Sequence, residues 1–447
     1  MTISTKPPAG TRDFLPDDIR KRQYVIGVIR EVYESYGYAP LETPSFENLD
    51  TLLGKYGEEG NKLIFKILKR GEHEHTGEAD LALRYDLTVP LARVVAQYQN
   101  QLPKFFKRYQ IQPVWRADRP AKGRFREFYQ CDIDAIGSTA PLVEAEIINA
   151  VSEILVRLGF NDFIVRLNHR LVLAGLLNAA GVGSDLHGSA LIALDKLDKI
   201  GAAGVHQEFL ARGISDTAAQ ACLKVFESRA GEPPSETLSR LAGVLGADDP
   251  SVRNLSEIVA AASATQIRID PSLARGLSYY TGAIMEIAVA DLAGSLGGGG
   301  RYDGLIGMFL GRDIPACGFS LGMERIIVVM AERNMFPATV AGGGVDIMVT
   351  LWNAALQANA MQLAATLRQG GLRVELYPEP DKLGKQFKYA SSRNVPFVAI
   401  EGDDERAAGT IAIKDLRSGD QTTVARGEAA DWLRRRLELD QGPRTKD

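Results

Sequence analysis

The stretch "VWRADRPAKGRFREFYQCDID", residues 114–134, packs six Arg, Lys or Asp side chains into its first thirteen residues and then alternates. Successive residues of a strand face opposite sides of a sheet. Over Arg124–Ala135 the odd positions, Phe125, Glu127, Tyr129, Cys131, Ile133 and Ala135, are mostly apolar. The even positions, Arg124, Arg126, Phe128, Gln130, Asp132 and Asp134, are mostly polar. The arm before it repeats the pattern, with Arg108, Gln110, Gln112 and Arg116 against Tyr109, Ile111 and Trp115. Pro120 and Gly123 supply a turn between the arms. On such a face a carboxylate and an amide can hold an amino group, a ring can stack a base, and an arginine can grip a phosphate. A solvated face of an antiparallel sheet is the plain alternative.

Other stretches carry similar chemistry. "LALRYDLTVP" reads as a strand with Arg84, Asp86 and Thr88 on one side. "ARGLSYYTG" holds Arg275 and the adjacent Tyr279 and Tyr280. "GGGGRYDG", residues 297–304, contains Tyr302 but matches neither GxxxxGKS/T nor GxGxxG, and reads as a flexible turn. "GMERII" sets Arg325 at the start of an apolar helix, where it points at an anion or caps a surface. In "GEHEH", His73 and His75 have no third ligand nearby, so a solvated loop is favoured over a metal site. "DKLGKQFKYASSR" lines Lys382, Lys385 and Lys388 along one helical side, which suits a phosphate backbone or an ordinary solvated face. No Ser/His/Asp or Cys/His arrangement stands out for covalent catalysis.

These residues need a scaffold, and 447 residues are enough for two or three domains. Hydrophobic content of 45% and charged content of 24% are those of a soluble globular protein. No apolar run approaches the roughly 20 residues of a membrane span, and the N-terminus has no apolar signal core. Cys131, Cys222 and Cys317 are far apart and form no CxxC, as expected of a reduced cytoplasmic protein. A net charge of −4 argues against non-specific coating of nucleic acid, though not against local basic patches that grip RNA. Residues 1–167 and 265–335 mix helical and strand patterns. Residues 168–264 are Ala- and Leu-rich and helix-like, as an inserted helical domain would be. "AGGG" at 341–344 reads as a linker, and residues 343–440 alternate strand and helix as an α/β domain.

Taken in order, these stretches resemble the histidyl-tRNA synthetases, a family of class II aminoacyl-tRNA synthetases. "GTRDFLP" opens the likeness, and "YGYAPLETPSFE" resembles motif 1, with Pro44 as its proline. "WRADRPAKGRFREFYQCDID" resembles motif 2, "PACGFSLGMERII" motif 3, and "GGRYDGL" a further family element. Motif 3 is shared by many relatives. "RGLSYYTG" together with "LRYDLT" is what points to histidine.

The resemblance implies an α+β protein. Its parts are an antiparallel catalytic sheet, an inserted helical domain that approaches the tRNA acceptor arm, and a C-terminal α/β anticodon-binding domain. It implies a reaction of two steps: ATP and histidine give histidyl-adenylate, and the histidyl group then passes to the end of tRNA(His). ATP with Mg2+, and a homodimer with Pro44 at its interface, are implied with it, and no partner in membrane or DNA. By the same resemblance, Arg116 and Arg275 hold the α-phosphate, Arg275 also contacts the histidine, Arg325 holds the γ-phosphate end and Arg124 the phosphates generally. Phe128 stacks the adenine. Asp86, Thr88 and Gln130 bind the amino group, and Asp134 and Tyr280, with Tyr302 near them and Tyr279 beside, read the imidazole. Lys382, Lys385 and Lys388 are the tRNA-facing candidates. No protein ligand for the metal is implied.

Ser278 departs from the family, which usually has Asp there. Arg275 and both tyrosines remain. The regulatory subunit of ATP phosphoribosyltransferase shares the catalytic fold without the C-terminal domain, which is present here. A synthetase for proline, threonine or glycine would lack "RGLSYYTG". Class I is excluded by the absence of HIGH and KMSKS sequences.

Overall fold

The computed structural model describes residues 4–73, 75–229, 231–264, 266–274, 279–290, 292, 294–337, 340 and 344–440. The chain forms two compact units, residues 1–13 with 25–335 and residues 14–24 with 336–447. Among the described residues no helix is long and apolar enough to cross a membrane.

The first unit contains strands β1 (Ala39–Pro40), β2 (Phe46–Asn48), β3 (Lys66–Leu68), β4 (Ala79–Leu83), β5 (Phe106–Trp115), β6 (Glu127–Ile136), β7 (Ile164–His169), β8 (Ile267–Ile269), β9 (Ala283–Ala288), β10 (Ser295–Arg301) and β11 (Ala316–Gly322). Eight of them make one sheet in the order β1-β5-β6-β11-β10-β9-β7-β8. The pairs from β5 to β7 are antiparallel, and only the two edge pairs are parallel. Strands β2, β4 and β3 form a small second sheet.

Residues 25–35 of one helix and a second helix pack on the apolar side of the large sheet. Pro16–Ser35 carries Asp17 and Asp18 in its first turn, where carboxylates favour the helix dipole. The chain leaves it through Gly37, whose φ of 77° suits glycine at a helix end. Its fully buried Tyr33 donates to the Cys131 carbonyl at 3.0 Å and lies 5.9 Å, centroid to centroid, from the Tyr109 ring. Helix Leu142–Arg157 buries Ile147, Ile148, Val151, Ile154 and Leu155, which recur at helical spacing. Burial of each such side chain contributes about 1.5–3 kcal/mol. Glu144 of this helix grips Arg301 of β10 at 2.6 and 2.9 Å, a buried two-pronged pair.

The polar side is set by register. One row runs Arg108, Asp134, Gly318, Gly300, Ile284, Asn168 across β5, β6, β11, β10, β9 and β7. The next runs Gln110, Asp132, Ser320, Gly298, Glu286, Arg166 and on to Arg268 of β8. This face is not the solvated one that alternation alone allows: Arg108, Gln110, Asp132 and Asp134 are all buried.

Nor is the glycine run a turn. Ser295–Arg301 is a strand in the interior of the sheet. A Cβ on Gly299 would fall 2.2 Å from the Gly318 carbonyl oxygen, and one on Gly300 would fall 2.6 Å from that of Ala283. The glycines let neighbouring backbones approach more closely than side chains permit.

Between β7 and β8 the chain runs through helices from Arg170 to Ala261, within the first unit. Arg166 on β7 donates to Asp198 on one of them at 3.1 Å. The second unit holds strands β12 (Ile347–Val349), β13 (Val374–Leu376), β14 (Phe397–Ile400), β15 (Thr410–Asp415) and β16 (Gln421–Ala425), in the order β13-β12-β14-β15-β16. Ile347, Val349, Phe397 and Ala399 pack with Leu363, Leu367 and Leu433 on one face, and Met348, Val398 and Ala390 pack on the other. Burial on both faces accounts for the unbroken apolar run of β14.

Candidate active site

Asp134 stands in the middle of the polar floor. Its Oδ1 accepts the Tyr302 hydroxyl, and Arg108 Nη2 faces its Oδ2 at 2.8 Å. Arg108 also lies 3.8 Å from Asp132 Oδ2. Burial pushes both carboxyls above the usual carboxylate range, and the Arg108 charge opposes that rise. A Cβ on Gly318 would fall 1.9 Å from Asp134 Oδ1, so the carboxylate occupies space that only glycine leaves. Beside it, Gln130 Nε2 donates to Ser320 Oγ at 2.9 Å. Gln130 Oε1 is buried with no hydrogen-bond partner among the described residues, an acceptor suited to an ammonium donor.

Asp86 and Thr88 reach the floor by a route that strand parity misses. Strand β4 ends at Leu83, and Thr88 begins helix Thr88–Tyr98, so Arg84, Asp86 and Thr88 do not share one side of a strand. The cause is the Asp86 side chain, whose Oδ1 accepts the Val89 N–H at 3.0 Å and turns the chain into the helix. The same oxygen accepts the Tyr56 hydroxyl at 3.0 Å, and Oδ2 accepts that of Tyr279 at 3.3 Å. Arg84 is a buried bracket instead. It donates to the carbonyls of Thr43, Pro44 and Pro113 and to Gln112 Oε1.

The tyrosines form one cluster. Tyr279 meets Tyr280 and Tyr302 edge to face, with centroids 5.2 and 6.0 Å away. Tyr280 lies close over β10, where a Cβ on Gly300 would come within 3.2 Å of its Cδ1.

At the far end of the floor, Arg116 donates through Nε to the Tyr85 carbonyl at 3.0 Å. Its guanidinium carbon is 4.3 Å from the Tyr85 ring centroid and 5.2 Å from that of Phe128, a cation–π clamp. Arg124 and Arg126 are not on the strand, which starts at Glu127. The turn folds against the N-terminal segment instead. The Arg126 N–H donates to the Gly10 carbonyl at 2.8 Å, and Arg124 pairs with Asp118 at 2.8 Å across the turn. Lys122 pairs with Glu332 at 2.6 Å. Arg325, in the first turn of helix Met323–Glu332, donates through Nη1 to the Ser295 carbonyl at 2.6 Å. Its Nε lies 3.5 Å from the Gly123 carbonyl, so the motif 2 turn and this helix converge.

Arg275 and Ser278 lie outside the described residues. Lys382, Lys385 and Lys388 belong to the second unit and are exposed along helix Leu383–Ser392 and its leading residue, with Lys385 paired to Asp381 at 2.7 Å. His73 is exposed, and its Nδ1 is 3.6 Å from Glu78. Among the described residues no three His, Cys, Asp or Glu side chains are grouped to hold a metal ion. The reading of the sequence gave no role to Tyr56, Tyr85, Arg108 or Asp132. Arg108 and Asp132 were visible on the polar face, but only the pairing register sets Arg108 opposite Asp134.

Comparison with known proteins converges on one family. The profile described as Histidyl-tRNA synthetase fits residues 10–326, and that described as Anticodon binding domain fits residues 345–436. The histidine–tRNA ligase of Flavobacterium johnsoniae is 40% identical over 94% of this chain and 98% of its own length. The crystal structure of histidyl-tRNA synthetase from Nostoc sp. PCC 7120 superposes with a TM-score of 0.83 at 32% identity, covering 98% of this chain and all of that one. A Bacillus halodurans structure described as an ATP phosphoribosyltransferase regulatory subunit/histidyl-tRNA synthetase shares the fold alone, with a TM-score of 0.68 at 21% identity. With that agreement along almost its whole length, the chain belongs to the histidyl-tRNA synthetase family.

Proposed function

We propose that this chain activates histidine with ATP and passes the histidyl group to tRNA(His), and that the polar floor is where the first step occurs. As a family member the chain is an aminoacyl-tRNA synthetase, a ligase that charges tRNA with histidine. The assignment of roles rests above all on Asp134. It is a buried carboxylate held by Tyr302 and Arg108, with an amino-group pocket (Asp86, Thr88, Gln130) on the same floor. An imidazole N–H satisfies such a carboxylate, whereas a side chain without a donor leaves it desolvated and unanswered, which rejects strongly.

Attack of the histidine carboxylate on the α-phosphorus builds negative charge, so fixed cations serve the reaction better than a base. Arg116 fits that task. One of its five N–H donors is committed to Tyr85, and its guanidinium lies close to the Tyr85 and Phe128 rings. Arg275 joins it on the α-phosphate, Arg124 contacts the phosphates, Phe128 stacks the adenine, and Arg325 takes the γ-phosphate end. Tyr279 and Tyr280 close the pocket beside Tyr302. Magnesium accompanies ATP as a counter-ion of the phosphates. The described carboxylates do not gather into a protein-built metal site, and no step is assigned to it.

Residues 168–264 act as an inserted helical domain near the tRNA acceptor arm. The second unit grips the anticodon end, with Lys382, Lys385 and Lys388 facing the phosphate backbone. The protein works as a cytoplasmic homodimer, and three buried free thiols suit a reducing compartment. Pyrophosphate exchange into ATP, run with each amino acid in turn, tests the reading: exchange is expected with histidine alone, and exchange with another amino acid instead of histidine refutes it.

A further inference from the structure

We infer that Arg108 is a positioning residue for histidine recognition: it holds Asp134 as a carboxylate and fixes the amino-group segment at Leu87 to the same floor. This rests on the proposed role of Asp134. Arg108 is fully buried and stands directly opposite Asp134 in the β5–β6 register. Its Nη2 faces Asp134 Oδ2 at 2.8 Å, lies 3.8 Å from Asp132 Oδ2, and donates to the Leu87 carbonyl at 3.3 Å. Leu87 lies between Asp86 and Thr88, so one guanidinium spans the imidazole end and the amino-group end of the pocket. Its Nη1 donates to Gln110 Oε1 at 3.3 Å, which fixes the plane of the fork.

The charges around Asp134 make this arginine hard to replace. On the floor side Asp134 faces Asp132 and Asp86, both carboxylates, with Tyr302 donating to Asp134 and Tyr280 near by. Behind the sheet are Tyr33 and Tyr38 from the first helix and its exit, and Cys317 on β11. Burial raises the pKa of all these phenols and of the thiol, so they stay neutral. Among the described residues Arg108 is thus the cation in direct contact with Asp134, and Arg116 is committed to the other end of the floor. Without Arg108, two desolvated carboxylates two residues apart would compete to take up a proton.

The test is histidine-dependent pyrophosphate exchange by the full-length protein, with separate Michaelis constants for histidine and ATP from neutral to alkaline pH. Arg108→Met is expected to raise the KM for histidine by about tenfold or more, with the KM for ATP within about twofold. That histidine KM should fall more steeply than the parent's as pH rises and the carboxylates ionise. Arg108→Lys keeps the charge but not the fork. It should keep the parent's pH profile with a histidine KM raised several-fold, and it decides the matter if Arg108→Met does not fold. A parent-like histidine KM in either variant, or loss of pH dependence together with equal losses for both substrates, overturns the inference. Asp134→Asn separates the two readings. If it leaves the histidine KM unchanged, the role of Asp134 fails. If it raises that KM while Arg108→Met does not, only the role of Arg108 fails.

Discussion

At the proposed histidine end of the floor two buried carboxylates are held by named partners: Asp86 accepts from Tyr56, Tyr279 and the Val89 N–H, and Asp134 accepts from Tyr302 and is ion-paired with Arg108. At the nucleotide end Arg124 leaves 56% of its side chain exposed, on a turn tied to Asp118 and the N-terminal segment. The first arrangement tolerates little displacement, because any lost partner leaves a desolvated charge. The second gives way cheaply, since an exposed ion pair is screened and worth little. Discrimination between amino acids needs the rigid end. A polyphosphate that enters and leaves in every cycle is served by the compliant one.

That contrast can be broken in three places, in falling order of effect. Arg275→Ala removes a cation assigned to both ends and is expected to cut exchange on the order of a hundred- to a thousandfold with the fold intact. Near-normal exchange with an unchanged circular dichroism spectrum would break the role. Gly318→Ala puts a methyl group where Asp134 Oδ1 sits, 1.9 Å from the added carbon. It should cost about 1–3 kcal/mol of stability and raise the histidine KM far more than the ATP KM. Parent-like melting and an unchanged histidine KM would show that the rigid end has slack. Arg124→Ala is expected to raise the ATP KM only about two- to fivefold, by less at high salt, and to leave the histidine KM alone. A histidine effect as large as the ATP effect would erase the distinction between the ends.

Much of this was legible before any coordinates, and for a physical reason. Alternation holds over most of β5 and β6, so side-chain parity delivers the floor residues Phe128, Gln130 and Asp134 directly. What alternation does not carry is register and depth. It cannot say that Arg108 faces Asp134 or that the polar face is buried. Local side-chain bonding is invisible to it as well, which is why parity places Asp86 on a strand when it turns the chain into a helix. Glycine was the other blind spot. A run of glycines has no side chains to alternate, so β10 looked like a turn although its neighbours require a strand there.

The bare backbone of β10 bears on any attempt to redesign the pocket. Gly298 and Gly300 line the floor with no side chain at all, and Gly318 does the same on β11. Three positions of the floor are therefore already trimmed to the peptide, and every replacement there subtracts room. An enzyme altered to charge a bulkier histidine analogue would have to gain its space from the side walls, Tyr280 and Tyr302, and not from beneath. Truncating Tyr302 would also take a hydrogen bond from Asp134. On the proposed role of Asp134, widening the pocket on that side loosens recognition, whereas Tyr280 is the wall where size could be traded with less loss of discrimination.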